Sequence, residues 1–118
     1  MSKRVAVVSG GIGGLGTEIC KYLARSGRKV IAADLGSRAE RVAEFQKEVA
    51  EFDIGFESVN VGDADACTEL TKSLASKHGS IDILVNAAGI TRDTTLRKMT
   101  PEQWHDVLDI NLTGVFNL

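Results

Sequence analysis

The sequence predicts an α/β fold, an open doubly wound parallel sheet with helices on both faces and strands ordered 3-2-1-4. Three observations predict it. Short apolar runs alternate with segments whose apolar residues recur at helical spacing. The runs are rich in branched residues, as strands buried on both faces are. The connections are short, and right-handed crossovers then place the helices on the two faces of one sheet.

Residues 4–9 (RVAVVS) form the first apolar run and lead into a glycine cluster, a buried strand feeding a turn. From Gly14 the spacing becomes helical, with Leu15, Ile19, Tyr22 and Leu23 in phase and Gly27 as a stop signal. Residues 29–33 (KVIAA) are the second strand. Ser37 and Glu40 have the spacing of a capping box, so the second helix is expected to start at Ser37 and to turn Val42, Phe45 and Val49 inward. Residues 56–60 are the expected third strand. Asp63 can cap a third helix whose stripe is Cys67, Leu70 and Leu74 and which ends at Gly79. Residues 81–85 (IDILV) are the fourth strand, expected to be buried on both sides. Thr100, Pro101 and Gln103 mark another helix start, with a capping box and Pro in the first helical position. Its expected apolar stripe is Trp104, Val107, Leu108, Val115 and Leu118, with Asn111 standing on that stripe.

Composition bounds the function. The 118 residues suit one domain, 43% hydrophobic and 25% charged, with a net charge of -2. That balance excludes a basic nucleic-acid surface. No run approaches the ~18 apolar residues of a membrane span, and the first residues lack a secretory core, so the cytoplasm is the expected compartment. Cys20 and Cys67 fall on apolar helix faces and read as buried reduced thiols. His78 and His105 are too isolated for a metal cluster, so no metal is expected.

The chemistry concentrates at the glycine turn. Ser9, Gly10, Gly11, Ile12, Gly13, Gly14, Leu15 and Gly16 lie between the first strand and the first helix. Such a corner brings backbone close to a ligand, and the helix behind it aims free N–H groups and its positive dipole end at the same point, which suits a diphosphate. A tight turn with no ligand would use glycine too. Asp34 ends the second strand about 20 residues on, where a carboxylate can accept both ribose hydroxyls of a dinucleotide. The other reading is a solvated strand-end Asp. In the first case NAD(H) is favoured and NADP(H) is the alternative, with Arg38 and Arg41 nearby as cations that could reach a phosphate. Asn111, on an apolar face, must either bond to neighbouring backbone or organise a polar site, since an unpaired buried amide costs about 1–3 kcal/mol. Asn86 and Ala87-Ala88-Gly89 leave the fourth strand beside the topological switch, where ligands bind in such sheets.

Together these residues resemble the short-chain dehydrogenase/reductase family along the whole chain. Its T-G-x-x-x-G-x-G motif appears as Ser9 to Gly16, and its N-N-A-G as Asn86-Ala87-Ala88-Gly89 with one Asn replaced. Asn60-Val61-Gly62-Asp63 is similar to the stretch that packs on the adenine, and Asn111 matches the Asn of the catalytic tetrad. Residues 10–20 and 89–93, with 97–100 and Trp104, look most like the acetoacetyl-CoA reductases of polyhydroxyalkanoate synthesis, and next like the 3-oxoacyl-(acyl-carrier-protein) reductases. The resemblance implies a Rossmann-type half-domain and reduction of a 3-oxoacyl thioester, with Asp93 near the substrate entrance. It also implies a catalytic Ser and a Tyr-x-x-x-Lys pair, yet the one tyrosine, Tyr22, is followed by Arg25 and Ser26. Those reductases usually prefer NADPH, so Asp34 is a departure.

The expectation is therefore a single half-domain over residues 1–118, ending inside its last helix and inactive alone. An apolar strand edge left open invites pairing with another chain. The piece should be marginal by itself, completed by a C-terminal half or by homo-oligomerisation. Two other functions stay open: a dinucleotide-binding module without chemistry, and an interaction protein.

Overall fold

The computed structural model describes residues 4–89 and 97–118. Four strands, β1 (Val5–Ser9), β2 (Lys29–Asp34), β3 (Ile54–Ser58) and β4 (Ile83–Asn86), pair in parallel in the order β3-β2-β1-β4. The helices between them are α1 (Gly14–Arg25), α2 (Ala39–Glu48) and α3 (Ala64–His78). After β4 come α4 (Pro101–Leu108), a π-helical turn (Asp109–Thr113) and α5 (Gly114–Asn117). β1 is buried at every position because it is central and covered on both sides, which is why its sequence does not alternate.

Successive side chains of β1 and β2 feed two cores. Val5, Val7, Ile31 and Ala33 turn toward Cys67, Leu70 and Leu74 of α3. Ala6, Val8, Val30 and Ala32 turn toward Cys20 of α1 and Phe45 of α2. Two buried layers on one sheet are the physical content of double winding.

Four local expectations change. The Ser37–Glu40 box does not form: Arg38 stands at the N-cap of α2 with no side-chain cap. Gly36 N donates to Ser58 Oγ (3.0 Å), so the turn out of β2 is hooked to the end of β3 and the helix starts later. β3 lies two residues earlier than expected. Its register runs from Val30↔Ile54 to Asp34↔Ser58, and beyond it Asn60 Oδ1 accepts from Gly62 N (2.9 Å), curling the chain off the ladder. β4 is not buried on both sides; Leu84 is 40% exposed, and among the described strands β4 pairs with β1 alone.

The fourth change is in the last helical stretch. Thr100 and Gln103 do form the expected capping box. The π turn then carries Gly114 N to Asp109 O, a bond spanning five residues instead of four. The added residue rotates the following face, so Ile110 and Leu118 pack on the core while Val115 is half exposed; Trp104, ahead of the turn, is half exposed as well. Asn111, expected on a buried stripe, is exposed.

Candidate functional site

A cleft of about 440 Å³ opens where β1, β2 and β4 end, at the carboxyl edge of the sheet. Its walls come from five places. Gly10 and Gly13 line it from the glycine corner; Ala33, Asp34, Leu35 and Arg38 from the exit of β2; Val59, Asn60, Val61 and Gly62 from the loop after β3. Ala87, Ala88 and Gly89 line it from the exit of β4, and Asp106, Asp109 and Ile110 from α4 and the π turn.

The corner is built by close backbone packing. Gly10 takes φ +68°, and a Cβ there would lie 2.7 Å from the backbone of Ala87 and Ala88. That leaves glycine as the unstrained choice. Ser9 is buried; its Oγ donates to Val85 O (3.4 Å) and accepts from Ala88 N (3.3 Å). The Ser hydroxyl thus sews the exit of β4 to the corner. Gly13 is the N-cap of α1, which has no side-chain cap and no acidic residue in its first turn. α3 and α4, by contrast, have Asp63 and Thr100 as caps and Asp65 and Glu102 in their first turns. The amides opening α1 are thus left for an anion, at a corner whose backbone forms the cleft wall.

Of the residues singled out from the sequence, Gly10, Gly13, Asp34, Arg38, Asn60, Val61, Gly62, Ala87, Ala88 and Gly89 line the cleft. Ser9, Gly11, Ile12, Gly14, Leu15, Gly16 and Asn86 do not. Ile12 is fully buried in the core, Leu15 is 74% exposed, and a Cβ on Gly11 would collide with Ala32. Asp34 stays at the strand end, its Oδ1 accepting from Leu35 N (2.8 Å). Asn111 approaches from the π turn: its Oδ1 is 3.5 Å from where a Gly89 Cβ would be. Asp93 lies outside the described residues.

Sequence reasoning passed over several lining residues. Asp106 and Asp109 give no signal of their own, because only the packing of the π turn on Val61 brings that helix over the cleft. Also missed is Thr17, buried, with Oγ1 donating to Gly11 O (3.3 Å). The cysteines are inert donors. Burial pushes the Cys20 thiol up to about 12, and burial with the Asp63 carboxylate raises that of Cys67. Tyr22 is 70% exposed on α1 and takes no part in the cleft.

The residues fit a dinucleotide. Two glycines of the corner, the small residues at the exit of β4, a strand-end carboxylate and an Asx turn share one cleft, within a volume usual for a cofactor site. Comparison with known proteins decides the family, because the profile of short chain dehydrogenases matches residues 4–118. The chain belongs to the short chain dehydrogenase family. It is 42% identical over 120 residues to an acetoacetyl-CoA reductase of Cupriavidus necator, covering 100% of this chain and 48% of that protein. It is 44% identical over 116 residues to a 3-oxoacyl-(acyl-carrier-protein) reductase of Staphylococcus aureus, covering 95% and 46%. Among solved structures, a tryptophan variant of actinorhodin polyketide ketoreductase crystallised with NADPH superposes with a TM-score of 0.89 at 30% identity, over 99% of this chain and 46% of that one. The chain thus spans about half the length of the curated relatives it matches. Among the described residues, no helix is long and apolar enough to cross a membrane, and no cluster of potential ligands could hold a metal.

Proposed function

We propose that this chain is the dinucleotide-binding half of a cytoplasmic reductase that converts a 3-oxoacyl thioester, acetoacetyl-CoA or a close analogue, to the 3-hydroxyacyl thioester. The observation that carries the reading is the cleft itself. It runs from uncapped amides at Gly13 and the glycine corner to the carboxylate of Asp34, with small residues at Ala87 to Gly89 between them. The relatives' names supply the substrate class.

When bound, the reduced nicotinamide supplies hydride. This chain's residues bind and orient. Backbone at Gly10 and Gly13 and the opening amides of α1 hold the diphosphate. Asp34 accepts the ribose hydroxyls, and Asn60 and Val61 flank the adenine. Asn111, held against Gly89, organises the polar side of the reacting centre and is the catalytic residue this chain contributes. The family resemblance assigns the substrate entrance to Asp93, which lies outside the described residues. Tyr22, exposed on α1 and away from the cleft, is not placed to protonate the carbonyl oxygen, and we assign that acid to the part of the full-length reductase that the relatives have and this chain does not span.

NAD(H) is favoured over NADP(H). Among the described residues, three carboxylates (Asp34, Asp106 and Asp109) and one cation (Arg38) line the cleft, and Asp34 at the exit of β2 opposes a 2′-phosphate. Fluorescence titration of the full-length protein with NADH and NADPH tests the reading. Saturable binding of at least one, with loss of reduced nicotinamide on adding acetoacetyl-CoA, is the expected result. No association with either at millimolar concentration overturns it.

A second reading, an association module, has one observation in its favour. Leu112, Val115 and Phe116 on the last helical stretch are exposed, Phe116 by 87%. Binding of either dinucleotide separates the two readings, and homo-oligomerisation is compatible with both.

A further inference from the structure

We propose that Arg41 is a positioning residue that clamps the glycine corner from outside, and that it is not a ligand for an adenosine 2′-phosphate. The proposal rests on the cleft being the dinucleotide site and adds to it a residue from a different element. Arg41 lies in the first turn of α2, with 27% of its side chain exposed. Its Nε donates to Ile12 O at 2.5 Å, its Nη2 to Thr17 Oγ1 at 3.2 Å, and its Nη1 meets Glu44 at 3.5 Å. Thr17 Oγ1 in turn donates to Gly11 O at 3.3 Å.

Gly11 and Ile12 form the outer turn of the corner, and the Ile12 side chain is fully buried, so their carbonyls need donors. Thr17 and, more weakly, the Cys20 thiol (3.8 Å) supply Gly11 O, Arg41 supplies Ile12 O, and Arg41 also fixes the hydroxyl of Thr17. One guanidinium therefore ties α2 directly to the Ile12 carbonyl and, through the Thr17 hydroxyl, to that of Gly11. The planar fork can reach both acceptors at once, whereas a lysine ammonium is a single point on a flexible stem. Orientation excludes the other role. Arg41 is committed to the back of the corner and does not line the cleft; Arg38 does line it.

The clamp acts where the diphosphate binds and not where the adenosine does. Loosening it weakens every ligand that carries the diphosphate and spares one that does not. The test uses the full-length protein and the variants Arg41→Met, Arg41→Lys, Thr17→Val and Arg38→Ala. Dissociation constants are measured for NADH, NADPH, ADP-ribose and adenosine, with a thermal melt of each variant. Arg41→Met should raise the constants for NADH, NADPH and ADP-ribose together, by about 10- to 100-fold, the scale of one charge-assisted hydrogen bond. The NADPH-to-NADH ratio and the adenosine constant should stay within about twofold of wild type. Arg41→Lys should fail to rescue, and Arg38→Ala should move the ratio. If Arg41→Met does not fold, Arg41→Lys and Thr17→Val carry the same expectation.

Selective loss of NADPH in the Arg41 variants would make Arg41 a phosphate ligand and overturn the proposal. So would unchanged constants, or an adenosine constant that rises with the rest. Wild-type protein that binds neither dinucleotide refutes the cleft reading itself, and the clamp with it. Wild-type binding with unaffected Arg41 variants removes the clamp alone.

Discussion

Replacing Gly16 with alanine tests the corner where its packing is tightest. An alanine Cβ at Gly16 would fall 2.0 Å from Gly10 O, 2.8 Å from Gly10 C and 2.9 Å from Gly11 Cα. Ordinary contacts between carbon atoms run at about 3.5–4.0 Å, so the corner must retreat by more than 1 Å. All three obstacles are backbone, and no side-chain rotation relieves them. Overpacking of this kind costs about 1–3 kcal/mol. It also displaces Gly10, which is cleft wall, and a misplacement of about 1 Å at a positioning element can cost on the order of a hundredfold in function. Gly14 provides the control, only two residues away, since a Cβ there meets nothing within 4 Å. Gly14→Ala should stabilise by about 0.4–1 kcal/mol through the unfolded chain alone. Urea unfolding of full-length protein should therefore give opposite signs for two identical substitutions. Fluorescence titration should show at least a tenfold loss of NADH affinity for Gly16→Ala. Equal shifts in both variants, or wild-type affinity in Gly16→Ala, would show that corner packing does not govern the site.

Two further outcomes follow from single groups. Asp34→Asn should weaken NADH and improve the NADPH-to-NADH affinity ratio by about 5- to 10-fold, because one carboxylate opposing a 2′-phosphate is removed; the gain should shrink in high salt. An unchanged ratio would leave the choice of cofactor to Arg38, Asp106 and Asp109. The Cys20 thiol, pushed by burial from its ordinary 9.0 up to about 12, is raised relative to the unfolded chain. Its contribution to stability is thus fully present below pH 9 and declines as pH climbs from about 9 toward 12, by about 1.4 kcal/mol per pH unit at most. Denaturant titrations across that range should record the decline. Iodoacetamide at pH 8 should label Cys20 only after unfolding, and rapid native labelling would refute its burial.

The legible parts of this protein are those that local chemistry decides. The strand–glycine–helix corner, the Asp63 cap and the Thr100 box need no tertiary partner to be recognised, and each stands where its residues predict. Elements settled by long-range contact were not legible. β3 could slide by two residues within the mixed apolar and polar stretch from Ile54 to Val61, and only its pairing with β2 and the Asn60 turn fix the register. The Ser37–Glu40 box had the right spacing but lost to the hook between Gly36 and Ser58.

The π turn is the most instructive failure, because it breaks the assumption of 3.6 residues per turn on which the apolar stripe was drawn. Gly114 abuts Val61 so closely that a Cβ would sit 2.6 Å from Val61 Cγ2. The backbone widens there while docking, and Asn117 Nδ2 closes the contact by donating to Val61 O (2.8 Å). The same widening turns Asn111 out of the stripe and toward Gly89, and holds Asp109 and Ile110 at the cleft. A position that reads as a flaw in an amphipathic helix is thus a site position because the helix is irregular there. An Asn on an otherwise apolar face, three residues before a glycine, records both facts once the docking is known.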